Sequence, residues 1–140
     1  MKLGNKNSPI STLERISALH RNVMRQFVQK NDLQMVHLEI LLYLSNCNKH
    51  SDTAQALTYY LGQTKGSISQ SLSLLEEEKY IRREQNMNDK RIFHLRVEKK
   101  GKNLVSKFNN YFEFPVLSEK VNHSLLKLLI ELQKKYIGRK

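Results

Sequence analysis

The sequence predicts a mainly α-helical domain carrying one small β-hairpin. Three observations lead there. Apolar residues recur every three to four positions in six segments. That period breaks between Tyr80 and Val97, where two short strand-like runs flank the polar turn Gln85 to Lys90 (QNMNDK). Only Gly62-Gln63-Thr64 separate the third and fourth helical segments, a short Gly-containing connection of the helix-turn-helix kind.

The first helix is expected to start at Ser11 or Thr12, with Pro9 just upstream, and its stripe is Leu13, Ile16, Leu19, Val23 and Phe27. Asp32 is the expected cap of the second, whose buried side is Val36, Ile40, Leu41 and Leu44, closed by Asn46 and Asn48. Ser51 or Asp52 should cap the third, which ends at Gly62 in a left-handed conformation. Thr64 caps the fourth, where Ile68, Leu72 and Leu75 face inward. Tyr80 to Glu84 and Arg91 to Val97 read as the two strands. The helical period returns after Gly101 through Leu104, Val105 and Phe108, and Pro115 stops it. Ser118 then caps a last helix that runs to about Tyr136.

Composition bounds what such a chain does. At 140 residues a single domain is expected. A 39% hydrophobic content, dense in periodic segments, argues against intrinsic disorder. No run reaches the roughly 18 apolar residues of a membrane span. The amino-terminal MKLGNKNSPI lacks the apolar centre of a secretory signal, so export is disfavoured. One cysteine excludes an internal disulfide framework and fits a cytoplasmic setting. There is no Gly-rich phosphate loop, nucleophile elbow or carboxylate pair in a common setting, so neither an enzyme nor a cofactor is expected.

The net charge of +11 points to a polyanionic partner, with nucleic acid leading. It is unevenly spread. Residues 1–30 carry +5, 31–64 carry −2, 65–78 carry −2, 79–102 carry +6 and 103–140 carry +4. The hairpin region is therefore the most basic part of the chain. The fourth helix lies by contrast in an acidic segment, and its first half is read as an exposed run of Lys65, Gly66, Ser67, Ser69, Gln70, Ser71 and Ser73, nearly all small or amide-bearing. Serine is an indifferent helix former, so stability alone does not account for this choice. Small hydroxyls and an amide let a helix approach base edges closely, and Gln bonds adenine at two points. Helix, turn, helix and hairpin together describe a winged helix-turn-helix with amino- and carboxy-terminal helices outside it.

These residues resemble the multiple-antibiotic-resistance regulator (MarR) family. The family's Leu-Gly-x-x-x-x-(Ser/Thr)-(Val/Ile)-(Ser/Thr) signature is matched by Leu61, Gly62, Ser67, Ile68 and Ser69. Its Leu-Glu-x-x-Gly-(Leu/Tyr)-(Ile/Val)-x-Arg signature is matched by Leu75, Glu76, Tyr80, Ile81 and Arg83, with Lys79 where the glycine usually stands. Leu33, His37 and Leu41 occupy an upstream helical pattern, Asp89-Lys90-Arg91 gives the wing's Asp-x-Arg, and Val97 to Gly101 closes the series. The resemblance implies a homodimer with each fourth helix in a major groove and each wing in the flanking minor groove. It makes Lys65, Ser67, Ser69, Gln70 and Ser73 base or phosphate contacts. Arg91 would enter the minor groove, held by Asp89. Arg82, Arg83, Lys90 and Arg96 would contact phosphates. It also implies a winged core over residues 31–98, flanked by dimerisation helices at 9–30 and 99–138.

The terminal helices favour a dimer independently, because the apolar face of the last one is too broad for one neighbour to cover. The expected interface comprises Leu13, Ile16, Leu19 and Val23 with Val121, Leu125, Leu128, Leu129 and Leu132. The segment Gly101 to Pro115 reads as a fifth helix shorter than in many family members, which bears on the size of the cleft where effectors of the family bind. Cys47 and the five scattered histidines read as packing or surface residues rather than as a redox sensor or metal site. Tyr59, Tyr60 and Met24 read as packing residues that could also line an effector pocket. The expected activity is that of a sequence-specific, double-stranded DNA-binding regulator, acting as a repressor that an effector releases. A small basic RNA- or ribosome-associated protein, or a winged-helix protein-interaction module, are the alternatives.

Overall fold

The computed structural model describes residues 8–112 and 118–138. It contains α1 (Pro9–Lys30), α2 (Met35–Asn46), α3 (Ala54–Leu61), α4 (Lys65–Glu77), β1 (Ile81–Gln85), β2 (Phe93–Val97), α5 (Lys99–Tyr111) and α6 (Glu119–Ile137). The expected order of six helices around one hairpin is therefore present. The helix stop assigned to Pro115 lies outside the described residues. No helix among the described residues is long and apolar enough to cross a membrane.

The core forms where α1, α2, α4 and α5 converge on the hairpin. Phe27, Leu38, Leu41, Leu57, Ile68 and Leu75 are almost fully buried there. Phe27 meets Phe108 edge-on at 5.1 Å, which ties α1 to α5. Ile68, Leu72 and Leu75 take the inward positions their spacing predicts, so the opposite face of α4 points out. By contrast, α6 has no buried residue.

Local chemistry sets the helix ends, and three expected caps are corrected. Ser8, not Ser11 or Thr12, caps α1 by accepting from the Ser11 N–H, and Pro9 occupies the first helical position. Asp32 does not cap α2. It sits at φ 55° just after α1, in the left-handed place of a C-terminal turn closed by the Leu33 N–H on the Val28 carbonyl. Gln34 precedes α2 instead, and its N–H bonds the Nδ1 of buried His37 at 3.2 Å. For α3 the cap is Thr53, which frees Asp52 for another role. Thr64 on α4, Ser118 on α6 and left-handed Gly62 (φ 63°) are as expected.

The hairpin pairs Ile81 with Val97, Arg82 with Arg96 and Glu84 with His94. Cross-strand partners share a face, so Arg82, Glu84, His94 and Arg96 lie together, opposite Ile81, Leu95 and Val97. The second strand begins at Phe93 rather than Arg91, because Asp89 to Ile92 are spent on the turn: the Ile92 N–H bonds the Asp89 carbonyl. Helix α5 starts at Lys99, ahead of Gly101. A Cβ on Gly101 would lie 2.5 Å from the Tyr80 carbonyl oxygen, so only glycine lets α5 cross the base of the hairpin this closely.

Lys79 stands where the resembled signature has glycine, in a backbone conformation that favours glycine. It adopts φ 62° and closes a two-bond C-terminal turn, with its N–H on the Glu76 carbonyl and the Tyr80 N–H on Leu75. A side chain there carries left-handed strain of about 1–2 kcal/mol. Lys79→Gly is therefore expected to raise stability by about 0.5–1 kcal/mol, after the entropic cost of glycine. The check is a higher urea midpoint at unchanged slope; a lower midpoint would show that the Lys79 side chain contributes more than its backbone costs.

Candidate nucleic-acid interface

The outward face of α4 begins at Thr64, whose hydroxyl accepts from the Ser67 N–H at 3.1 Å. Lys65, Ser69, Gln70 and Ser73 are exposed along it, with Gly66 lowering the surface between them. Ser73 donates its hydroxyl to the Ser69 carbonyl at 3.0 Å, leaving its lone pairs outward. Two serines differ from the exposed reading. Ser71 is buried and donates to the Ser67 carbonyl, and Ser67 is itself half-buried. Part of the serine content thus serves packing, and the accessible stripe is Lys65, Ser69, Gln70 and Ser73.

A neighbouring groove of about 650 Å³ is lined by Gln55, Thr58 and Tyr59 of α3 with Lys65 and Ser69 of α4 and Arg83 of β1. Tyr59 is 79% exposed and does not line the cleft by Tyr60. In a helix-turn-helix the first helix crosses the nucleic-acid backbone. Gln55 and Thr58 were not singled out from the sequence; the available signal was their polarity on a helix one short turn before α4.

At the wing tip Asp89 grips Arg91 by both carboxylate oxygens, accepting from Nε at 3.0 Å and Nη2 at 2.9 Å. The Arg91 backbone N–H donates to the same Asp89 Oδ1 at 3.0 Å. Those bonds hold the Asp89 carboxyl below the usual carboxylate range and raise the Arg91 guanidinium. The Arg91 side chain nevertheless remains 89% exposed, so it is aimed without being covered.

The remaining wing arginines are committed to carboxylates of this chain. Arg83 bonds Glu76 at 2.9 Å, and Arg82 bonds Glu98 at 3.1 Å with Glu84 at 3.6 Å. Arg96 bonds Asp52 and approaches Glu84 at 3.4 Å. Lys65 and Lys90 form no ion pair among the described residues. The arginines of the most basic segment are thus all paired within the chain, while Lys79, Lys90, Lys99 and Lys102 form no ion pair among the described residues.

Asp52 is the buried member of this set. Its carbonyl accepts from the Leu95 N–H at 2.8 Å, and its carboxylate takes His94 Nδ1 at 2.6 Å as well as Arg96. Burial pushes its carboxyl up, but the hydrogen bonds from His94 and Arg96 and the charge of Arg96 outweigh that and hold it below the ordinary value. Neither His94 nor Asp52 was singled out as a site residue from the sequence, because their contact spans 42 residues.

A separate cleft of about 520 Å³ opens between α1, α2 and α3, lined among others by His20, Met24, Tyr43, Cys47 and Tyr60. Burial and the nearby Asp52 raise the Cys47 thiol, the opposite of an activated cysteine. No group of three or more His, Cys, Asp or Glu able to hold a metal occurs among the described residues.

The residues expected at a dimer interface divide in two. Ile16, Leu19, Val121, Leu128 and Leu129 are exposed, while Leu13, Leu125 and Leu132 are half-buried. Val23 is half-buried and packs against the core.

The order of α2, α3, α4 and the β1–β2 hairpin is that of a winged helix-turn-helix. Residues 31–92 match the family model described as MarR family. None of the curated proteins matches it. Among solved structures, a MepR variant from a multidrug-resistant S. aureus clinical isolate superposes with a TM-score of 0.79 at 23% identity, over 94% of this chain and 99% of that one. The S. aureus MepR–DNA complex gives 0.60 at 22% identity, over 89% and 87%. S. aureus MepR bound to ethidium bromide gives 0.58 at 22%, over 95% and 99%.

Asp52→Asn is expected to lower stability by roughly 1–3 kcal/mol at neutral pH, because His94 and Arg96 lose a shared acceptor. With the carboxyl depressed, its contribution is complete above about pH 4 and is lost as pH falls through the lowered value. Urea unfolding of both proteins across the acid range should show the difference shrinking; a difference independent of pH would contradict the assignment.

Proposed function

We propose that this chain is a homodimeric regulator that binds a pseudo-palindromic DNA duplex in a sequence-specific manner, with α4 in the major groove and the hairpin in the adjacent minor groove. The observation that carries the reading is the exposed, uncharged stripe Ser69, Gln70 and Ser73 beside Lys65, together with a wing-tip arginine already aimed by Asp89. Neutral donors and acceptors on a helix discriminate base edges, whereas a purely electrostatic binder has no use for them. Lys65 and Lys90 are the phosphate contacts of this scheme. Arg82, Arg83 and Arg96, being paired internally, shape the wing and contribute to its field rather than giving up their carboxylates.

The dimer rests on α6. Val121, Leu126, Leu128, Leu129 and Ile130 are each more than 40% exposed, an apolar face too continuous to be left to water. A second copy covers it most simply, with the exposed Ile16 and Leu19 of α1 contributing. The winged core at 31–98 and dimerisation helices at 9–30 and 99–138 follow from that arrangement. Repression relieved by an effector is the regulatory reading. The cleft lined by Met24, Tyr43 and Tyr60 offers an apolar and aromatic lining, and a MepR structure is known with ethidium bound.

Fluorescence anisotropy on labelled duplex DNA and on structured RNA, at two salt concentrations, tests the reading. Preference for duplex DNA with a steep salt dependence is expected; tighter binding to RNA would refute it. Arg91→Ala should weaken duplex binding about tenfold or more. Gln70→Ala should relax base preference at one position, by roughly 1–3 kcal/mol, with little effect on random DNA. Equal losses on selected and random duplexes would remove Gln70 from base readout.

A further inference from the structure

The Asp89–Arg91 clamp is not isolated at the wing tip, and the way it is anchored points inward. Asn86 closes the turn: its N–H donates to the Ile92 carbonyl at 2.9 Å, and its side-chain Oδ1 accepts from the N–H groups of Asn88 at 2.8 Å and Asp89 at 3.0 Å. With Oδ1 spent on two backbone donors, the orientation of the amide is fixed, and its Nδ2 is the atom that faces His94 Nε2 at 2.8 Å. An amide nitrogen only donates, so Nε2 must accept. The single imidazole proton then sits on Nδ1, which donates to Asp52 Oδ1 at 2.6 Å. Other charged groups facing the ring come from the same side of the sheet, where Arg96 shares the Asp52 carboxylate and Glu84 bonds Arg96 and Arg82.

We infer that Asn86 and His94 are positioning residues for Arg91: a neutral, Nδ1-protonated His94 links buried Asp52 at the start of the helix-turn-helix to Asn86, which in turn fixes the Asp89 backbone and so the arginine it holds. The chain of bonds runs Asp52, His94, Asn86, Asp89, Arg91 and joins the base-reading unit to the wing in one rigid frame. An arginine held in place loses less freedom on binding than one on a loose hairpin. The role in DNA binding rests on the function proposed above; the bonding order does not.

Two measurements on the full chain test it. Long-range nitrogen–proton NMR of the imidazoles at neutral pH should show His94 as the Nδ1-protonated tautomer in the wild type, with that preference weakened in Asn86→Ala. A His94 carrying its proton on Nε2, or on both nitrogens, overturns the inference whatever the protein binds. The second is a double-mutant cycle read by anisotropy on a labelled A·T-rich duplex. Asn86→Ala, at a half-buried turn position outside the core, should weaken binding about threefold to tenfold, and should cost nothing further once Arg91 is alanine. Arg91→Ala weakening binding while Asn86→Ala does not would overturn the positioning role and leave the proposed wing contact standing. Full additivity of the two losses would also overturn it. No loss with Arg91→Ala would end both the wing contact and the inference that depends on it.

Discussion

One buried carboxylate ties the segment entering α3 to the hairpin. Asp52 stands between α2 and α3, yet its backbone carbonyl pairs with Leu95 and its side chain with His94 and Arg96, all on β2. A two-stranded hairpin is marginal alone in water. Here the buried Asp52 extends it by one backbone bond, Gly101 lets α5 pack against its base, and Ile81 and Leu95 fill the core beneath it. Without the Asp52 carboxylate, His94 loses its acceptor and Arg96 keeps only Glu84, leaving the Leu95–Asp52 backbone bond, the Arg83–Glu76 pair and the apolar contacts to hold the hairpin.

That anchoring changes what the positive charge means. Residues 79–102 carry +6, but Glu76, Glu84, Glu98, Asp89 and Asp52 each hold one or more of their arginines. Charge pairs at this surface contribute little stability individually. Their effect is to set geometry, with the guanidinium of Arg91 left outermost. The net charge selects a polyanion as the partner class; the internal pairing decides which cations meet it. Lys65 lies on the polar face of α4 and Lys90 adjoins Arg91 in sequence, and neither is paired with a carboxylate among the described residues.

Where side chains act on neighbours in sequence, the fold was legible. Gly62, Thr64, Ser118 and the inward triad Ile68, Leu72 and Leu75 follow from local rules, and the Asp89–Arg91 grip spans only two residues. Asp32 and Asp52 were misread because aspartate is a strong helix cap by preference, while each was claimed by something stronger. At Asp32 it was a left-handed turn, at Asp52 the strand 42 residues away. The serines of α4 were read as one exposed run, since spacing alone does not show how far the helix is sunk; Ser71 proved buried. Asn86 and His94 carried no sequence signal of their own, because an amide and an imidazole acquire meaning only from the atoms opposite them.

The claim on which the account stands is that a neutral helix face chooses the sequence and a clamped arginine secures the groove beside it, in two copies related by a two-fold axis. Selection of bound duplexes from a randomised library, followed by sequencing, tests it most directly. The account predicts an enriched inverted repeat with half-sites about one helical turn apart and A·T-rich flanks where the wings lie. Recovery of no common motif, or of a single unrepeated site without flanking preference, would contradict it.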